Sequence, residues 1–151
     1  MNADLLVDEV FGALDQEGAT RRLSLPALLG ALGQGDVEGF VGVQRHQADA
    51  FHIFLCQVAA LALDQAGQTD PVQDETFWRA RLRQLTGRDD DLAWTLIVDD
   101  PAQPAFMQAP TDTLARYKPK ATTPDQLDVL QTAKNHDLKA TRLAGASAEA
   151  W

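Results

Sequence analysis

The sequence predicts an α+β fold, a helix-rich chain with a buried central helix and short strands. Three observations predict it. From Ala50 to Leu63 only His52 and Gln57 are polar, so apolar side chains occupy almost every helical angle, as in a helix packed within a core. Two further stretches, 74–86 and 123–139, combine helically spaced apolar residues with capping signals. Short apolar runs near the N-terminus and around Trp94 are set off by Gly, Asp and Pro, which reads as strands between turns.

Taken in order, Leu5-Leu6-Val7 and Val10-Phe11 suggest a first strand, Asp15 to Ala19 with Gly18 a turn, and Arg22-Leu23-Ser24-Leu25 a returning strand. Ser24 is placed to cap a short helix that tolerates Pro26 in its first turn. Leu28, Leu29 and Leu32 give that helix its apolar face, and Gly33 and Gly35 end it. Residues 35–42 read as a loop. The central helix follows over 45–66 and stops at Gly67. In the next helix Trp78, Leu82 and Leu85 share one face, Asp74 and Glu75 suit the first turn, and Gly87 closes it. Arg79, Arg81 and Arg83 project mostly away from that face, as a solvated surface. Trp94 to Val98 reads as a strand, and Asp99-Asp100-Pro101 as a turn rather than a metal site. The stretch 101–119 is irregular. Thr123-Pro124-Asp125-Gln126 has the form of a capping box with Pro at the first helical position, and Leu127 and Leu130 continue at helical spacing.

Composition narrows the function classes. The net charge of −9 argues against a broad nucleic-acid surface. The charge is unevenly placed: residues 1–115 hold 7 Lys or Arg against 18 Asp or Glu, while residues 116–151 hold 6 against 4 and include all four lysines. Cys56 is the single cysteine, so no internal disulfide framework exists, and its place in the apolar helix suggests a small buried hydrophobe. The 14-residue apolar run from Ala50 to Leu63 is too short to span a bilayer, which takes about 20 residues. Neither membrane association nor a leader is expected, and cytoplasm is the expected compartment. A terminal Trp151 after a bland run of small residues suggests truncation within a longer protein.

No nucleophile elbow, glycine-rich phosphate loop or zinc spacing is present, so the chain is expected not to be an enzyme and to need no cofactor. His46 and His52 are six residues apart, the wrong spacing for two metal ligands on one helical face. Both read as buried or boundary histidines bonded to backbone, and Gln57 as a satisfied buried amide.

Three stretches, in this order, resemble one family. They are His46-Gln47 with Ala50-Phe51-His52, Phe54-Leu55, Gln57 and Ala59-Ala60-Leu61-Ala62-Leu63; then Pro104-Ala105-Phe106-Met107-Gln108; then Leu127-Asp128-Val129-Leu130 with Thr132-Ala133-Lys134-Asn135-His136-Asp137-Leu138-Lys139. The chain resembles the large subunit of the type I-E CRISPR surveillance complex, Cascade. The opening Leu5-Leu6-Val7-Asp8 also fits, although Val10-Phe11 stand where the family commonly has a Trp.

The resemblance implies a non-catalytic antiviral-defence subunit. It would contact the handle of the guide RNA, help recognise the protospacer-adjacent motif in double-stranded target DNA, sit among other Cascade subunits and recruit a helicase–nuclease. Residues 1–151 would be the N-terminal portion of that subunit, part of a larger mixed α/β domain, with the C-terminal helical bundle absent. The family's loop after the third helix maps onto Lys134, Asn135, His136, Lys139 and Arg142. Lys134 and Lys139 suit phosphates, and Asn135 and His136 suit a base edge or sugar. Two other readings remain. His136-Asp137 matches the doublet of the HD metal-dependent phosphohydrolases, although no Asp follows it. A small acidic helical module that binds only protein is the other.

Overall fold

The computed structural model describes residues 3–88, 90–96 and 98–112. The chain divides into two units, 1–112 and 113–151, and every described residue lies in the first. The expected helix that starts at Thr123 and the loop after it, starting near Lys134, therefore lie outside the described residues. The first unit is α+β, with three helices and a three-stranded antiparallel sheet among its described residues.

Strands β1 (Phe11–Leu14) and β2 (Thr20–Leu23) form a hairpin, with Phe11 opposite Leu23 and Leu14 opposite Thr20. Its turn is the expected one. The Asp15 carboxylate accepts from the Glu17 and Ala19 N–H groups at 3.2 and 2.7 Å, and Gly18 takes the left-handed conformation at φ 81°. The first strand begins later than the sequence suggests, because Leu5 and Leu6 lie in a turn and not in a strand, whereas the returning strand begins two residues earlier, at Thr20, and ends at Leu23 before the cap residue Ser24. Asp4 Oδ1 accepts from the Leu6 N–H at 2.8 Å and stabilises that turn. The segment then threads the core. Leu5 N–H donates to Trp94 O, Leu25 N–H donates to Leu5 O, and Arg79 Nε donates to Leu6 O at 3.1 Å.

Helix α1 (Leu25–Gln34) is capped by Ser24, whose hydroxyl accepts from Ala27 N–H, and ends at Gly35 in the left-handed region. Gly33 is inside the helix rather than at its end. A Cβ there would overlap the Pro71 carbonyl oxygen, so glycine permits a close backbone approach. Residues 39–41, expected as loop, form β3 (Gly39–Val41) on the free edge of β1, giving the order β2-β1-β3. Ala13 is buried, and its neighbours Phe11, Leu23 and Phe40 pack against the same core. Phe11 and Ala13 share one face by alternation, and their partners Leu23 and Phe40 share it by pairing.

Helix α2 (Arg45–Gln65) meets that face through an aromatic side chain. Its Phe51 ring stacks on Phe11 at 5.6 Å and meets Phe40 edge-on at 4.9 Å. The aromatic chain continues through Phe54 and Phe106 to Trp94. Burial is one-sided, contrary to the reading of an apolar helix closed in all round. Leu55, Val58, Ala62 and Leu63 are buried, whereas Ile53, Cys56, Gln57 and Leu61 are exposed. Neither Cys56 nor Gln57 is therefore a core residue, and His46 and His52 are also exposed. Run composition alone does not say which face has a neighbour.

Helix α3 (Glu75–Thr86) follows the expected plan. Asp74 accepts from Phe77 N–H at 2.7 Å, Gly87 terminates it at φ 61°, and Trp78 and Leu82 are buried. Beyond it, Trp94 ends a short 3₁₀ turn (Leu92–Trp94) instead of opening a strand, and Thr95 makes an isolated bridge with Asp4. Asp100 forms the expected turn, with Oδ1 accepting from Ala102 N–H at 2.9 Å. Among the described residues no helix is long and apolar enough to cross a membrane.

Candidate nucleic-acid interface

Lys134, Asn135, His136, Lys139 and Arg142, the residues expected to contact nucleic acid, lie outside the described residues, as does the His136-Asp137 doublet. What the structure defines is the acidic unit that precedes them, and the use it makes of its own cations.

Residues 1–112 contain seven arginines and no lysine. Six of the seven are engaged within the unit. Arg83 makes two parallel bonds to Asp91, at 2.7 and 2.6 Å, and Arg88 makes two to Asp90, both at 2.8 Å. Planar forks of this kind match a carboxylate as they would a phosphate. Arg79 pairs with Glu75 one turn away and also donates to Leu6 O. Arg81 lies over the Phe77 ring at 5.4 Å and donates to Gln84 Oε1. Arg21 lies 3.8 Å from Asp15 and donates to Asp36 O, and Arg22 donates to Glu9 O. The seventh, Arg45, is exposed in the first turn of α2. Arg79, Arg81 and Arg83 thus lie at the expected solvated surface, Arg83 exposed and the other two part-exposed, and also make contacts within the unit.

The electrostatics follow from these pairs. The hydrogen bond from Arg88 holds the Asp90 carboxyl below its ordinary value, and the bond to Asp91 raises Arg83 further. Asp4 moves the other way. Burial raises its carboxyl above the ordinary value, the Leu6 N–H opposes this, and Asp91 and Asp8 add to it.

Three concavities stand out among the described residues. One, of about 560 Å³, is lined by Gln65, Arg83, Gln84, Gly87 and Arg88. It has two guanidiniums, but both are neutralised by Asp91 and Asp90, so an incoming phosphate would have to displace a bidentate carboxylate. The second, of about 220 Å³ at the hairpin turn, is lined by Asp15, Glu17 and Asp36 beside Arg21 and repels anions. The third, of about 250 Å³, is an apolar groove beside Phe51, Phe54, Phe106 and Met107, with no polar group to orient a ligand. Among the described residues no cluster of His, Cys, Asp and Glu could hold a metal ion.

No protein-family model, curated protein or solved structure matches the chain.

The sequence reading missed the carboxylate partners of Arg83 and Arg88. The signal was present in Arg88-Asp89-Asp90-Asp91, three carboxylates immediately after an arginine-rich helix. Reading it required knowing that Gly87 turns the chain back so that Asp91 reaches Arg83.

Proposed function

We propose that the chain is the N-terminal part of a Cascade-type large subunit that acts by binding and not by catalysis. In this reading residues 1–112 are an acidic scaffold, and residues 113–151 supply the contacts to guide RNA and double-stranded target DNA. The observation that carries the reading is the engagement of the first unit's arginines. Six of seven are committed to protein partners, in a unit that holds 7 cations against 18 carboxylates. Phosphate affinity scales with the number of cations that displace counterions. In this reading such affinity comes mainly from Arg116, Lys118, Lys120, Lys134, Lys139 and Arg142. Lys134, Lys139 and Arg142 fix position on the backbone, while Asn135 and His136 read a base edge or sugar. Other Cascade subunits and the helicase–nuclease are the protein partners, and the cytoplasm is the compartment.

The test reconstitutes the protein with guide-bound partner subunits and titrates duplexes with and without a candidate motif. Motif-dependent binding that requires this chain is the expected result. Equal binding with and without the chain would remove the reading.

A further inference from the structure

We propose that the outward face of α2 is a docking surface for a partner protein's amphipathic helix that carries lysine and arginine beside its apolar stripe. This inference does not rest on the nucleic-acid reading.

Helix α2 has 21 residues, about 30 Å at 1.5 Å per residue. At about 100° per residue, Asp49, Ile53, Cys56, Ala60 and Asp64 fall on one strip, with Gln57 and Leu61 in the adjoining row. All seven are exposed, Ile53 at 57% and Leu61 at 61%. An outward helix face is ordinarily polar. Apart from Gln57, this one is apolar over its middle two turns, and it has a carboxylate at each end.

The charges decide the occupant. Asp49 and Asp64 stand 15 positions apart, about 22 Å along the axis. A second copy docked antiparallel about Cys56 and Gln57 would set Asp49 against Asp64 of its mate, and a parallel copy would set each carboxylate against itself. Either arrangement also brings together two units whose residues 1–112 hold 7 cations against 18 carboxylates. Like charges placed directly opposite oppose association. A helix with an apolar stripe and flanking cations meets both the apolar middle and the anionic ends. The only cation of α2 is Arg45 in its first turn, so nothing in the last five turns repels such a partner. A single helix pair of this length buries less than a standard interface, which points to a transient complex.

The experiment uses the full chain and two labelled synthetic peptides, each roughly 18 residues, long enough to form several helical turns. They share one Leu/Ala stripe, flanked in one by Lys and Arg and in the other by Glu. Fluorescence anisotropy reads binding at low and high salt. The basic peptide should bind saturably and weaken as salt rises. Ile53→Asp with Leu61→Asp should reduce affinity about tenfold or more. Asp49→Lys with Asp64→Lys should also reduce it, while Glu17→Lys with Glu38→Lys, an equal charge change on exposed residues elsewhere, should leave it within about twofold. If the double aspartate variant loses its helical signal by circular dichroism, the two charge-reversed pairs decide the matter. Equal binding of the Glu-flanked peptide, or an equal loss in the Glu17/Glu38 control, would overturn the proposal. So would a concentration-dependent dimer in sedimentation that Leu61→Asp dissolves, because the occupant would then be a second copy.

Discussion

At the scale of the residue, Asp4 shows what a half-buried carboxylate does when its neighbours are anions. Its Oδ1 accepts from Leu6 N–H, its own N–H donates to the Asp8 carboxylate, and burial raises its carboxyl above the ordinary value. The folded state therefore holds this proton more tightly than the unfolded state. The ionised form costs stability above the folded value, and that cost disappears as pH falls through it. Asp4→Asn keeps an oxygen for Leu6 and removes the charge. It is expected to melt at or above the wild-type temperature at pH 7, and the advantage should vanish at acid pH. Thermal melts of both proteins from pH 7 to 4 check this, and an advantage that grows in acid would contradict it. Gly33 gives a second case. At an open helical position Gly→Ala gains up to about 1 kcal/mol in propensity. Here the new methyl meets the Pro71 carbonyl, which is backbone and cannot swing aside. Overpacking costs about 1–3 kcal/mol, so Gly33→Ala is expected to lower the urea midpoint despite its better propensity.

At the scale of the element, local chemistry was legible and partnership was not. Ser24 before Pro26, Asp74 before Glu75, Gly35, Gly67 and Gly87 each mark a boundary by a mechanism that acts within a few residues; α1 and α3 begin and end, and α2 ends, within a residue or two of those marks. Ser24→Ala should cost about 1 kcal/mol, because one helix-end donor loses its acceptor; chemical denaturation measures it. The strands were harder. β3 is three residues, Gly39–Val41, and owes its pairing to the free edge of β1, which lies 25 residues or more earlier. Trp94 follows Leu92 and Ala93 in a 3₁₀ turn because its ring stacks on Phe106 and its carbonyl accepts from Leu5 N–H, both remote in sequence. The same limit explains α2. An apolar run states that burial is possible on every side, but the sheet and α3 cover only one side, and Ile53 and Leu61 are left facing outward. Of the candidate site, the residue types and their place in the chain came from the sequence, whereas the commitment of Arg83 and Arg88 to Asp91 and Asp90 needed the fold.

At the scale of the whole molecule, the account is a division of labour by charge. The first unit pairs four of its seven arginines with its own carboxylates and engages two more with backbone, amide or ring partners, and residues 113–151 hold all four lysines. This separates two sets of substitutions that composition alone would treat alike. Each phosphate contact contributes about 0.9 to the slope of log affinity against log salt on duplex DNA. In the proposed reading, the most direct test measures that slope for the protein assembled with guide-bound Cascade subunits, for Lys134→Ala with Lys139→Ala, and for Arg83→Ala with Arg88→Ala. The account predicts a weaker, flatter salt dependence for the lysine pair, lower by about 2 in slope, and an unchanged slope for the arginine pair. An unchanged slope on loss of both lysines, or a flattened one on loss of the two arginines, would contradict it.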